Sequence, residues 1–435
     1  MPLDFDTQAI VMSHLAEKRD VLAYMRTNHA HYDVGSFRLL QFRIVVNQYR
    51  VADFCDFMLS GSIPRLPGLR RITFGGHWKR LKDPTRAHIV DRLVSVLEGA
   101  YLLRELHISR FDEFLAIHPK VGSAIASLDH LDNLSICNVA QAHLNHLPSS
   151  LVTLDLSFLP NTSRVSTAED DGANPVIAIS TLTPNLEHLT LHHASLDSMA
   201  SRFPQVRSLT LVEGFSLNTA WIIDTFPRLE RLSLKAANST GVYEAQEHRQ
   251  VNRTAGRAVE TTTLKYLSAK LVDIYSLGFK CGIEELVVTK FSGDQLDMLS
   301  EVLNDALPRT LEISISAEAY PSVDFLSLIP SSTRTWLKDL RLNVQFPLTI
   351  AVEVQTLKIC EMLRTLSSIV SIRLCLYTTN PSRYYNDIGT PDEQLRELKH
   401  ELLASTLIVA APSLQDNKVW KKRKEEKRKK KIGEV

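Results

Sequence analysis

Histidine pairs are the residues of this sequence that come closest to a site for chemistry. His143 and His146 are three residues apart, as two metal ligands on one helix face would be, and His192 and His193 are adjacent. The chain has 15 histidines, so pairs of this kind arise by chance. No carboxylate or cysteine stands at a matching position. We therefore expect neither a metal site nor a cofactor.

Nucleophilic and phosphate-binding chemistry is not indicated either. The sequence has no Gly-x-x-x-x-Gly-Lys, His-Glu-x-x-His or Gly-x-Ser-x-Gly motif. Gly75-Gly76-His77 predicts a tight turn after a strand. The cysteines are scattered, odd in number and without a Cys-x-x-Cys pair, which predicts free thiols in a reducing compartment. They are Cys55, Cys137, Cys281, Cys360 and Cys375. We expect no catalytic residues, and hence a chain that is not an enzyme.

A recurring phrase, Leu-x-x-Leu-x-Leu or an apolar equivalent, organises the chain. Its last two apolar residues are two apart, so on a strand they point to one face and the residue between them points to the other. One such strand cannot bury its apolar face alone, whereas stacked copies form a continuous core. Eight copies are strong, at 69–74, 103–108, 131–136, 151–156, 186–191, 206–211, 229–234 and 283–288. Three are weaker, at 264–269, 337–342 and 369–374.

The phrase resembles that of leucine-rich-repeat proteins, although the Asn or Cys expected after each strand is mostly missing and the spacing is irregular. The resemblance implies an α/β solenoid over residues 69–413, with parallel strands on a concave face and helices on a convex face. The repeat register is clear only to residue 290. The alternative is an ordinary α/β domain with several Leu-rich strands. Residues 89–100 and 291–307 predict outer helices, the second with Asp294 as its N-cap.

Two connections, 160–175 and 236–262, are polar and rich in turn-forming residues, and they predict surface insertions. Loops of this length are disordered or bind partners. Both interpretations remain open from the sequence, and disorder is favoured.

Residues 1–40 predict two or three short helices, one of them beginning at Asp20. The stretch IVMSHLAEKRDVLAYMRTNHAHY (10–32) resembles an F-box, with Tyr32 where that family usually has Trp and with Leu3 followed by Asp instead of Pro. The resemblance implies docking to the adaptor subunit of a cullin-RING ubiquitin ligase. We expect the side chains involved to divide between the module's core and the docked surface: Leu3, Val11, Leu15, Leu22 and Met25. The alternative is a helical cap that seals the first repeat. Residues 41–68 predict a helical linker.

Charge is distributed unevenly along the chain. The net charge is +1, but residues 418–435 hold ten Lys or Arg and three Glu, which leaves about −6 for residues 1–417. Residues 414–435 therefore predict a disordered basic tail, which acts as a nuclear-import signal, a solubilising tail or a non-specific contact for nucleic acid. The N-terminus has no secretory signal, and no apolar stretch is long enough to span a membrane. We expect a cytoplasmic or nuclear protein with no membrane partner.

Together these features predict a non-catalytic substrate-recognition subunit of a ubiquitin ligase, of the F-box and leucine-rich-repeat kind common in fungi. The alternative is a leucine-rich-repeat scaffold without a ligase role. The protein substrate is unknown. Its site is predicted among residues beside the inward leucines: His188, Thr190, Arg231, Ser233, Lys235, Tyr266 and Lys270. Acidic residues dominate the early strands and basic residues the later ones, so the partner is expected to present an acidic or phosphorylated segment.

Overall fold

The computed structural model describes residues 5–60, 65–78, 87–139, 144, 147–158, 183–193, 202–213, 218–235, 242–255, 264–316, 327–346, 352–366, 368–378 and 416–421. The chain divides into two units. The first unit comprises Met1–Ser216 and Asp224–Arg228, and the second comprises Leu217–Ile223 and Leu229–Val435.

The first unit begins with three helices and continues with strands that alternate with helices or loops. The helices are α1 (Phe5–Ser13), α2 (Lys18–Met25), α3 (His29–Leu40), α4 (Val51–Leu59), α5 (Ala87–Gly99), α6 (Phe111–Leu115) and α7 (Pro119–Ala126). The strands are β1 (Ile44–Asn47), β2 (Arg71–Gly75), β3 (Glu105–Ile108), β4 (Asn133–Val139), β5 (Thr153–Phe158), β6 (His188–His192) and β7 (Ser208–Val212). A short 3-10 helix, Leu66–Gly68, precedes β2.

The second unit repeats the same alternation. Its strands are β8 (Arg231–Lys235), β9 (Tyr266–Lys270), β10 (Glu285–Phe291), β11 (Thr310–Ile315), β12 (Asp339–Phe346), β13 (Ser371–Thr378) and β14 (Asp416–Lys421). Its helices are α9 (Val242–Ala255), α10 (Leu271–Leu277), α11 (Leu296–Ala306) and α12 (Val352–Arg364). The short helix α8 (Thr219–Thr225) has residues in both units.

Both units are α/β solenoids in which each strand pairs in parallel with the next strand along the chain. All eleven copies of the repeated phrase contain a strand, and their apolar positions are buried, as Leu103, Leu106 and Ile108 illustrate. The intervening residues remain partly or fully accessible, except Ser268, which is buried. Each sheet therefore has a covered face and an accessible face, which we call the open face. The predicted solenoid fold is confirmed, and the in-register pairing of β10 to β13 carries the repeat past residue 290.

Three sequence-based predictions about local structure are wrong. Residues 41–68 are not wholly helical, because the β-branched run at Ile44 forms β1. The phrase was hidden there because Gln41 occupies the position of its first leucine. Asp20 lies in the first turn of α2 and does not cap it, since Glu17 occupies the N-cap. Ser292, not Asp294, begins the turn before α11, and it forms a capping box with Gln295.

Two longer segments also differ from the predictions. Helix α9 occupies much of the segment 236–262, where a disordered insertion was favoured. Strand β14 occupies part of the predicted basic tail and pairs with β13. The predicted insertion 160–175 lies outside the described residues, as does the tail from residue 422 onward. The predicted turn at Gly75-Gly76 is present, with Gly76 at φ +112° and its N–H donating to Ser109 Oγ at 3.2 Å.

Candidate interaction surface

The open face of the first unit carries one polar residue from each of the strands β2 to β7, at the position between the two inward apolar residues. Strand register aligns these residues from β2 to β7 as Thr73, His107, Ser135, Asp155, Thr190 and Thr210. Neighbouring strands are about 4.8 Å apart, so adjacent side chains in this row are within contact distance of each other.

Four side chains of this face form a continuous hydrogen-bonded series. Ser135 Oγ donates to Asp155 Oδ2 at 3.2 Å, and His192 Nε2 lies 3.2 Å from Asp155 Oδ1. His107 Nδ1 lies 2.9 Å from Ser135 Oγ. Because the serine hydroxyl has a single hydrogen, which it gives to Asp155, the ring N–H of His107 is the donor in that contact. We call this set the His–Ser–Asp–His series.

Electrostatics keep His107 of this series uncharged. Burial lowers the pKa of the His107 imidazole below its usual value, Asp155 opposes that shift, and Arg43 adds to it. Nδ1 of the neutral ring carries the proton that it donates to Ser135, so Nε2 is left as an acceptor. Burial raises the pKa of the neighbouring Cys137 thiol, and Asp155 raises it further, so this thiol is not activated.

The order of the four side chains differs from that of a nucleophilic catalytic site. A catalytic triad places histidine between serine and the carboxylate, so that the imidazole can accept the serine proton. Here Ser135 donates directly to Asp155, and both histidines lie on the outside of the series. The arrangement provides fixed hydrogen-bonding groups on a sheet face.

The adjacent histidines His192 and His193 do not act as a pair. His192 contacts Asp155, whereas His193 Nδ1 lies 3.3 Å from Glu213 Oε2. His193 follows the end of β6 with φ +55°, which turns its side chain away from the strand alternation. Within the described residues, no three His, Cys, Asp or Glu side chains are grouped as metal ligands would be. His143 and His146 lie outside the described residues.

The open face of the second unit is more strongly charged. The Arg231 guanidinium stacks over the Tyr266 ring, 4.0 Å from its centroid. Arg341 Nη1 lies 2.7 Å from Glu285 Oε1 and 3.6 Å from Glu312 Oε2. This second cation is therefore already compensated by two carboxylates of neighbouring strands.

The predicted substrate-binding residues all lie on open-face positions, but they belong to different units. His188 and Thr190 are on β6 of the first unit. The others are on β8 and β9 of the second unit, and of these the structure brings Arg231 into contact with Tyr266. The role of these residues in binding remains a prediction.

Sequence reasoning missed the His–Ser–Asp–His series and the carboxylates that hold Arg341. The signal was available, because His107, Ser135 and Asp155 occupy the same position in three copies of the phrase. Aligning the copies would have placed them on neighbouring strands.

The N-terminal helices form a module with its own small core. Met12, Val21, Met25 and Val34 are buried together, and Leu15 packs against them. Four large apolar side chains of the module remain accessible: Ile10 is 60% exposed, Leu22 44%, Tyr32 44% and Val11 36%. The expected adaptor-binding residues thus divide, with Met25 and Leu15 in or against the core and Val11 and Leu22 on the surface. Leu3 lies outside the described residues.

Comparison with known proteins gives only distant structural similarities. No protein-family model matches the sequence, and no curated protein is similar to it. The leucine-rich repeat-containing protein LegL7 from Legionella pneumophila aligns at 12% identity over 88% of this chain and 91% of that chain, with a TM-score of 0.35. The Rad7 and Elc1 complex in yeast aligns at 14% identity over 98% and 91%, with a TM-score of 0.28. Both scores are below 0.5, so the fold assignment rests on this chain's own strand order and register.

None of the five cysteines forms a disulfide bond within the described residues, and Cys55, Cys281 and Cys360 are buried. No helix within the described residues is both long and apolar enough to cross a membrane.

Proposed function

We propose that this chain is a protein-interaction subunit that recruits a partner to a cullin-RING ubiquitin ligase. In this proposal the N-terminal module docks the ligase adaptor and the open faces of the sheets hold the protein to be ubiquitinated. The chain contributes proximity and no catalysis, because it raises the local concentration of the substrate's lysines near the ligase.

The observation that carries the proposal is the accessible apolar surface of the N-terminal module. A helical cap needs an apolar side toward the repeats and a polar outer face. This module already has its own core, yet Ile10, Val11, Leu22 and Tyr32 stay exposed. Aromatic and aliphatic side chains of this size are the usual anchors of a protein interface.

A capture experiment with the recombinant adaptor tests the proposal. Ile10→Glu combined with Leu22→Glu places two charges on the exposed apolar surface and leaves Met12, Val21 and Met25 in the core. Losing an anchor costs about 2 kcal/mol or more, so adaptor capture should fall by at least tenfold. The control carries the same chemical change at exposed apolar positions elsewhere, Tyr101→Glu with Val251→Glu. Equal capture by both folded variants would refute the docking role.

A second candidate function, a scaffold whose N-terminal helices act only as a cap, has its own support. The end of α3 packs against the first repeat, where Leu40 is 1% exposed and its carbonyl accepts a hydrogen bond from Arg70 N at 3.2 Å. The Phe37 ring leaves no room for a side chain at Gly68. Under this alternative the unmodified chain captures no adaptor, so the same experiment separates the two functions.

A further inference from the structure

Three lysines lie at the ends of consecutive strands of the second unit. Lys235 is the last residue of β8 and Lys270 the last of β9, and Lys270 is opposite Lys290, the penultimate residue of β10, after a one-residue shift of register. The pairing of β8 with β9 runs to Ser233 and Ser268, and continuing that register for two residues brings Lys235 beside Lys270. We call this set the lysine row.

The lysine row concentrates positive charge over a short distance. Adjacent strands are about 4.8 Å apart, so the three lysines span roughly 10 Å. Like charges opposite one another on neighbouring strands are destabilising. Within the described residues, no carboxylate forms an ion pair with Lys235 or Lys290. Lys270 lies close enough to the buried Asp273 to influence its pKa. An anion bound across the row would relieve this repulsion.

The other cations of this open face are engaged differently. Arg231 lies flat on Tyr266, and Arg341 is held between Glu285 and Glu312. An incoming anion would have to compete with those carboxylates for Arg341, whereas Lys235 and Lys290 are exposed. Charge complementarity therefore favours the lysine row over Arg231 and Arg341.

The Arg231–Tyr266 pair lies at the opposite end of the same two strands. Arg231 and Lys235 are four residues apart, which is about 13 Å along a strand. An extended peptide laid along β8 and β9 covers the same distance in four residues. Its side chain at one end would pack on the Arg231–Tyr266 pair, and its charged group at the other end would reach the lysine row.

We propose that the lysine row, Lys235, Lys270 and Lys290, binds a densely negative segment of a partner protein. That segment carries a phosphorylated residue or clustered carboxylates about four residues from an aromatic side chain. The assignment rests on the proposed role of the open faces in partner binding and names the chemistry of the partner. Ammonium groups bind phosphate and carboxylate oxygens through charge-assisted hydrogen bonds, which are stronger than neutral ones.

Fluorescence anisotropy with labelled peptides and the full chain tests the assignment. The probe contains one Trp and, four residues away, a phosphoserine flanked by two Glu. A second peptide has Glu in place of phosphoserine, and a third has neutral residues at all three positions. We expect the phosphorylated and the Glu peptide to bind and the neutral peptide not to bind, and the stronger of the two acidic peptides identifies the source of the negative charge.

Charge removal at the exposed ends of the row supplies the decisive comparison. Lys235→Gln with Lys290→Gln should weaken peptide binding by about tenfold or more, because two charge-assisted hydrogen bonds to the acidic segment are lost. Lys280→Gln with Lys358→Gln removes two exposed lysines elsewhere and should change binding by less than about twofold. The basic C-terminal run is present in all proteins compared, so its contribution cancels.

Two results would overturn the assignment. One is equal peptide affinity of the row variant and its control, with both folded by circular dichroism. The other is displacement of the peptide by a single-stranded oligonucleotide that binds more tightly, which would make this face a nucleic-acid surface. Adaptor capture by the row variant should equal that of the unmodified chain. The lysine row and the ligase role can therefore fail independently.

Discussion

The covered faces of the two units are packed with different chemistry. In the first unit the Phe74 ring contacts Phe54, Trp78 and Phe114, with ring centroids 5.1–6.5 Å apart. In the second unit α9 packs through Arg249, whose side chain is 4% exposed and forms ion pairs with Glu301 and Asp305. One helix layer is held by aromatic contacts and the other by a buried polar network.

The difference shows how a polar helix can cover a solenoid. Asn252 Oδ1 accepts from Thr219 N at 3.0 Å, and Asn252 Nδ2 donates to Ser276 O at 2.8 Å. Arg249 Nη1 donates to Tyr275 O at 2.8 Å. These bonds supply partners to backbone groups at the start of α8 and in the last turn of α10. The polar packing is therefore specific, and it depends on every member being present.

The largest expected effect comes from breaking the buried ion pairs of the second unit. Asp305 contacts both Arg249 and Arg253. Asp305→Ala should lower the free energy of unfolding by about 3–5 kcal/mol, because it removes the carboxylate shared by Arg249 and Arg253 and leaves the buried Arg249 with only the more exposed Glu301. Adding Arg249→Met should recover more than about 1 kcal/mol of that loss, since the second change removes a buried charge that has lost one of its two carboxylate partners. Chemical denaturation of the two variants measures both quantities.

Phe114→Ala in the first unit is the matched control for this prediction. Phe114→Ala should also lower the free energy of unfolding by about 3–5 kcal/mol, but by creating a cavity. Adding Arg249→Met to this variant should therefore lower its stability further and recover none of the loss. Hydrogen exchange should localise the two losses to different units. If Arg249→Met recovered stability in both the Asp305→Ala and the Phe114→Ala variant, the stated difference in packing between the two covered faces would be wrong.

A smaller effect is expected at Asp273 and depends on pH. This carboxylic acid is 1% exposed, and one of its oxygens has no hydrogen-bond partner among the described residues. Burial raises the pKa of Asp273 from 3.8 to about 6, and Lys270 opposes the shift. The folded state therefore holds this proton more tightly than the unfolded chain does. This stability is fully present below about pH 4 and is lost as the pH rises through about 6, by about 3 kcal/mol in total once the pH exceeds about 7.

Asp273→Asn should remove this pH dependence. The variant should be more stable than the unmodified chain by about 3 kcal/mol at pH 7.5, and the two should be nearly equal at pH 4. Urea denaturation at both pH values gives the difference between the proteins, in which the other titrating groups largely cancel. A stability difference that is the same at pH 4 and pH 7.5 would show that Asp273 is not the source.

The sequence predicted the strands well because each has its apolar residues two apart, and all eleven copies of the phrase became strands. The same reasoning failed for α9, whose buried positions are Ala245, Arg249 and Asn252. Their spacing of four and three residues is helical, but two of the three side chains are polar. A search for apolar periodicity therefore predicted a polar loop for this segment.

The candidate surfaces were predictable only in part. The period of two predicts which residues lie on the open faces. Because Arg231 and Tyr266 occupy consecutive copies of the phrase, they were predicted to lie on the open face of neighbouring strands. Partners that come from strands two apart, such as Glu285 and Arg341, depend on the order in which strands pair. That order follows from the fold and not from local pattern.

The smallest expected effects test how closely α9 packs on α10. Gly278 ends α10 with φ +64°, and a Cβ there would lie 3.2 Å from Arg249 O and 3.2 Å from Arg253 Cγ. Leu307 ends α11 in the same left-handed conformation, with φ +42° and with a partly exposed side chain. Gly278→Ala should cost about 1–2 kcal/mol, whereas Leu307→Gly should stabilise by about 0.5 kcal/mol by relieving strain. Thermal unfolding of both variants measures the sign. If both variants lost a similar amount of stability, left-handed strain would not be the deciding factor. If Gly278→Ala had no effect on stability, α9 would be able to move away from α10 without losing its polar network.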